Sequence, residues 1–138
     1  MSKKILGVVA GLAAWLAIVL VAGAIMRAAW PAYASVAEAM TFTLPMLAAR
    51  LAISTLATLA TGFVAAIITR SLIASVIPGV VLLIAFIPQH IMLWDKFPVW
   101  YHLTFLLSLV PLTYVGGTIW SRRQSPRPAH LLGEMTAV

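Results

Sequence analysis

The sequence predicts an all-α membrane protein, a four-transmembrane-helix bundle, and three observations lead there. First, 63% of its 138 residues are hydrophobic and only 9% are charged, against about 45–50% apolar and about 25% charged residues in soluble domains. A water-soluble fold of this size has too little interior to hide that much apolar surface. Second, the charges stand mostly at the ends of apolar runs, the usual pattern of residues flanking a membrane segment. Third, four such runs each reach the roughly 20 residues that a helix needs to cross a hydrocarbon core of about 30 Å.

Segment one covers about residues 5–26, between Lys3-Lys4 and Arg27, with no charge inside. Segment two covers about 44–69, ends at Arg70 and carries one charge, Arg50. Segment three covers about 72–93 and contains Pro78 and Pro88; segment four covers about 99–120, contains Pro111 and stops at Ser121-Arg122-Arg123. Together they form one transmembrane domain over 1–123. Residues 27–43 make the one long loop, with Trp30, Pro31, Tyr33 and Glu38. The link at Arg70-Ser71 is so short that segments two and three form a tight antiparallel hairpin. Residues 124–138, with Pro126 and Pro128, read as a polar cytoplasmic tail of the mobile kind found at chain ends.

Orientation follows from the basic residues. If all four segments span, Lys3, Lys4, Arg70, Arg122, Arg123 and Arg127 share one side. Arg27 and Lys96 stand on the other, balanced by Glu38 and Asp95. The positive-inside rule makes the first side, with both termini, cytoplasmic. Aromatics agree: Trp30, Tyr33, Trp94, Trp100 and Tyr101 are expected as a belt at the outer interface, and Trp120 at the inner one. Ala32-Tyr33-Ala34 after an apolar run resembles a signal-peptidase site, but the run is longer than the 7–15 residues of a signal core. The expected setting is therefore multi-pass, in a bacterial inner membrane.

The same composition excludes several function classes. The net charge of +6 comes from dispersed basic residues rather than a groove-sized patch, so nucleic acid is not an expected partner. The absence of cysteine removes disulfide chemistry, Fe–S clusters and thiolate metal sites. No serine-nucleophile elbow, zinc-protease motif or phosphate-binding loop is present. Glu38, Asp95 and Glu134 all lie outside the apolar runs, and the first segment lacks the carboxylate on which proton-coupled small multidrug antiporters depend. No catalytic residue, metal or cofactor is assigned.

What remains is a candidate functional cluster: Arg50, Glu38, His90, Asp95, Trp100, Tyr101 and His102. Arg50 lies about six residues into segment two, or about 9 Å below its edge, where an ionised side chain needs a partner, a cavity or the bundle interior. Arg50, Ser54, Thr58, Gly62 and Ala66 recur every four residues, a stripe of mostly small residues that permits close helix packing. Two arrangements satisfy the arginine: an internal pair with Glu38 or Asp95, or snorkelling to lipid phosphate. Gly7 and Gly11 form a GxxxG pair for helix contact within one chain or between chains. His90 and His102 fall on the same side and are expected to approach each other, either as a metal or haem pair with Asp95 or Glu38 as a third ligand or as interfacial histidines bonded to loop backbone. The prolines either bend packed helices or open backbone to a ligand site. The run from Trp94 to His102 serves as an interface belt or a docking surface for a lipid headgroup or membrane protein.

Trp94-x-x-Phe97-Pro98-Val99-Trp100-Tyr101-His102, then Phe105, Pro111 and Gly116-Gly117, together with Ala49-Arg50-Leu51 and Thr61-Gly62, resemble a group of small uncharacterised four-helix bacterial inner-membrane proteins. The resemblance implies that setting and no activity. The expected role is a non-enzymatic accessory or structural subunit that binds another membrane protein or lipid, or assembles as a homo-oligomer. Second comes a small transporter or channel component using Arg50 and the outer polar cluster; third, a haem or metal carrier through His90 and His102.

Overall fold

The computed structural model describes residues 2–124; the expected tail beyond Gln124, with Arg127 and Glu134, lies outside them. The chain is all-α, with no strand among the described residues. Helix α1 is Lys3–Ala29, α2 a short helix Pro31–Val36, and α3 Leu44–Thr69; a 3-10 turn Ala74–Val76 runs into α4, Ile77–Met92, and α5 is Val99–Gln124. Four of these are long and apolar enough to cross a membrane: α1, α3, α4 with its 3-10 turn, and α5. Leu20, Leu56, Ile84 and Leu107, one from each, are large apolar side chains exposed on the outer surface of the bundle.

The element boundaries have local causes. Ser2 caps α1 by accepting from the Lys4 N–H at 3.4 Å. Pro31, Pro45 and Pro78 occupy first turns, where the missing N–H is no loss. Pro78 therefore starts a helix instead of bending one, contrary to expectation. Pro88 and Pro111 do lie inside α4 and α5. Helix α3 ends at Arg70, which takes the left-handed conformation (φ 52°) and donates its N–H to Ala66 at 2.8 Å. The chain turns there as expected, but a turn and the 3-10 segment come before α4, which packs mainly on α5 instead of forming a tight hairpin with α3. The long loop is more ordered than a loop: α2 sits in it, and Met40 turns the chain back through a left-handed φ of 58°.

Helix α3 is the centre of the bundle, packing most extensively against α5 and α1, while α4 leans mainly on α5. Helix α1, rather than α4, takes the second face of α3. The reason is a second stripe. Ser54, Thr58, Gly62 and Ala66 are buried as predicted, and so are Ala57, Thr61 and Ala65 one step round the helix. Two small-residue faces accept two neighbours.

The contacts are backbone to backbone. A Cβ on Gly11 would meet the Thr61 carbonyl at 3.0 Å, and one on Gly7 would collide with Thr69. The GxxxG pair is thus used within one chain. A Cβ on Gly62 would overlap the Thr113 backbone, and one on Gly116 the backbone of Leu59 and Phe63. Buried hydroxyls are satisfied inside their own helices, Thr61 donating to the Ala57 carbonyl and Thr113 to the Val110 carbonyl, both at 2.8 Å. Trp15 Nε1 adds one interhelical bond, donating to Thr58 Oγ1 at 3.3 Å.

This packing predicts that Gly62→Ala and Gly116→Ala each lower bundle stability by about 1–3 kcal/mol, the range for overpacking a close contact. Gly23→Ala, where a Cβ meets nothing within 4 Å, should be neutral or slightly stabilising. Thermal unfolding in detergent compares the three; equal melting temperatures would contradict the backbone contact.

Candidate functional site

At the end of the bundle away from the glycine contacts, the helices separate around Arg50. Its guanidinium is held on three sides. Nη1 donates to the Tyr33 hydroxyl at 2.7 Å and Nε to the Tyr101 hydroxyl at 3.3 Å, while the Phe42 ring lies under the group, 4.7 Å from Cζ to centroid. Tyr33 comes from α2 and Tyr101 from the first turn of α5, so the arginine ties three elements together.

This corrects the expectation of a carboxylate partner. Glu38 and Asp95 are exposed, and the groups bonded to Arg50 are two neutral phenols. Exposed carboxylates keep their hydration, whereas phenols enter an apolar interior at much lower cost. Tyr33 and Tyr101 leave the predicted aromatic belt for the same reason: they are 4% and 5% exposed and face the arginine. Trp94 and Trp100 remain on the surface as predicted, and Trp100 makes an edge contact with the Tyr101 ring.

Two cavities meet at this cluster. One, about 280 Å³, is apolar and lies between α1 and the other helices, lined by Trp15, Val19, Gly23, Ile53 and Phe86. The second, about 400 Å³, lies under α2 and the Met40 turn and is more polar, with Arg27, Gln89 and His90 in its wall. Arg50, Tyr33, Tyr101, Phe86 and Phe105 line both. Neither Pro88 nor Pro111 borders them.

His90 and His102 approach each other as expected, and more closely than an interfacial pair requires. Their Nδ1 atoms are 2.7 Å apart, His102 is fully buried, and the His90 ring stacks on Phe105 at 4.7 Å. His102 Nε2 lies 3.4 Å from the Trp94 carbonyl. A carbonyl only accepts, so Nε2 of His102 carries a hydrogen and its Nδ1 is the acceptor. His90 Nδ1 is then the donor, and His90 Nε2 is left with a lone pair. No buried side-chain nitrogen or oxygen lacks a partner among the described residues, so this unpartnered Nε2 is accessible, and His90 lines the second cavity. The pair binds itself through the very atoms a shared metal would use, and no third His, Asp or Glu joins them among the described residues. Glu38 and Asp95 do not supply the expected third ligand.

The arrangement is rich in donors and poor in acceptors. Arg50 has five N–H groups, and two are used by phenols that act as acceptors. Both phenol hydrogens and the Nη2 hydrogens have no acceptor among the described residues, Nη2 is not a buried unpaired atom, and Arg50, Tyr33 and Tyr101 all line both cavities, an arrangement that suits an oxyanion. Sequence reasoning found Arg50, Tyr101 and both histidines. It missed Tyr33 and Phe42 as site residues; the one signal available was their place in the loop that folds back over segment two.

Tyr33→Phe and Tyr101→Phe should each destabilise the protein by about 1.5–3 kcal/mol, the range for bonds to a charged group, with Tyr33 the larger because its bond is shorter. Glu38→Gln and Asp95→Asn should change nothing. Unfolding curves that reverse this order would restore the carboxylate pairing. For the histidines, nitrogen-15 NMR should find His90 as the Nδ1–H tautomer and His102 as Nε2–H; two Nε2–H rings would refute the direct bond.

No protein-family model, curated protein or solved structure matches the chain, so the chemistry of the site rests on its own residues.

Proposed function

We propose that this chain is a non-enzymatic accessory protein of a bacterial inner membrane that holds an anionic group, from a lipid or a membrane-protein partner, in the chamber around Arg50. The observation that supports this reading is the arginine's company: a membrane-embedded cation bonded only to neutral phenols beside two cavities. A charge at that depth is costly unless something answers it, and an arriving anion does so while taking up the unused donors.

The proposed orientation has both termini cytoplasmic. In its favour, the contacts of Gly7 with Thr69 and of Gly11 with Thr61 make α1 and α3 antiparallel, and those of Arg50 with Tyr101 and of Arg123 with Phe63 make α3 and α5 parallel. Lys3, Lys4, Arg70, Arg122 and Arg123 therefore share one end, and Arg27 and Lys96 stand with Glu38 and Asp95 at the other.

A small anion transporter is the second reading, favoured by the meeting of two cavities at one arginine. Against it stands the other half of the bundle, where Gly11, Gly62 and Gly116 bring backbones together and Ala57, Thr61 and Ala65 are fully buried. That half leaves no path onward, which favours holding over conducting.

Purification from the native membrane in mild detergent, followed by mass spectrometry, tests the proposal. Wild type should retain an anionic lipid or a stoichiometric partner, and Arg50→Gln should lose it. Identical lipids and partners in both would overturn the reading, and Arg50-dependent flux from a homo-oligomer in vesicles would replace it with transport.

A further inference from the structure

We infer that the chamber takes an amphiphile with an oxyanion head and a single hydrocarbon chain in its apolar cavity, the head on Arg50, Tyr33 and Tyr101 and the chain beside Trp15, Gly23 and Phe86. This rests on the reading that the chamber holds an anionic group, and it specifies the rest of the molecule.

The two cavities differ in chemistry and share the donor cluster as their border. On one side lie Arg27, Gln89 and His90, suited to a hydrated head. On the other, the walls are hydrocarbon apart from Ser54 and the cluster itself; the one N–H at its floor, Trp15 Nε1, is already bonded to Thr58. A small inorganic anion would satisfy the donors and leave the apolar cavity unused. A neutral hydrocarbon would do the reverse. One molecule with both parts meets both demands.

The apolar cavity also has the shape of a slot. Trp15, Val19 and Gly23 repeat every four residues on one face of α1, a run of about 12 Å at helical rise. Gly23 marks its wide part, since a Cβ there meets nothing within 4 Å. The floor is the Trp15–Phe86 aromatic pair, with centroids 5.1 Å apart. Its volume of about 280 Å³ falls at the small end for ligand sites and suits one chain rather than two. Access is from the side: α1 touches α4 only sparingly, so a chain already in the bilayer enters without crossing water.

Trp15 supplies the readout. Palmitate carrying bromine in mid-chain should quench wild-type tryptophan emission saturably, and the saturable part should vanish in Trp15→Phe. Gly23→Leu, which places side-chain volume in the slot from a position where a Cβ meets nothing within 4 Å, and Arg50→Gln should each weaken the effect by about tenfold or more; Tyr33→Phe serves as the milder head variant should Arg50→Gln not fold. Brominated phosphatidylglycerol in phosphatidylcholine vesicles separates the sources: quenching by it alone identifies a phospholipid of the surrounding leaflet, and quenching by palmitate identifies a free acid. Acetate or inorganic phosphate binding as tightly as palmitate, with Gly23→Leu equal to wild type, would overturn the chain-in-slot inference and leave the anion-holding reading intact. Quenching equal in wild type and both head variants would overturn both.

Discussion

Backbone-to-backbone contact along α3 is the constraint from which the rest of the structure follows. Gly11 meets Thr61, and Gly62 and Gly116 meet the backbones of Thr113 and Leu59. At these points α1 and α5 approach α3 as closely as helices can, because no side chain stands between them. Toward Arg50 the same helix carries a large residue, and the neighbours must part around it. The bundle tapers, and its wide end is where polar chemistry is possible.

Aromatic side chains fill the wide end only partly. A run of ring contacts passes from Tyr33 to Phe42, on to Phe97 and Tyr101, and from His90 through Phe105 and Phe86 to Trp15. Rings are rigid and have few rotatable bonds, so they frame space without collapsing into it. The same residues that hold Arg50 also keep the cavities open. This explains why a short helix, α2, is worth forming in the connecting loop: it delivers Tyr33 to the guanidinium.

The spans were legible because hydropathy and flanking charge are one-dimensional signals. Residues 44–69 were bounded correctly since Pro45 and Arg70 mark both ends of α3. The small-residue stripe was legible too, for its period is that of a helix. Which neighbour packs on which face was not, because Ala57, Thr61 and Ala65 look like any apolar residues until the second helix is present. Pro78 was misread for a similar reason: a proline says that a helix is interrupted or begun, and only the 3-10 turn at Ala74–Val76 decides between them. The partner of Arg50 was beyond the sequence altogether. Charge complementarity pointed to Glu38 and Asp95, whereas the cost of burying a carboxylate pointed to phenols, and the second consideration prevailed.

The tie between Arg50 and its two phenols also has a temporal side. Chains are made from the N-terminus, so Tyr33 precedes Arg50 into the membrane and Tyr101 follows some fifty residues behind. An arginine inside a spanning helix costs about 2.5–3.5 kcal/mol at insertion, offset here by the long apolar run of α3 that follows it. The first phenol is at hand when that cost falls due, and the second, which closes the chamber, arrives with the last helix. The site is therefore completed only when the whole bundle has been threaded, and a chain cut short before α5 lacks Tyr101 and with it one of the two bonds to Arg50.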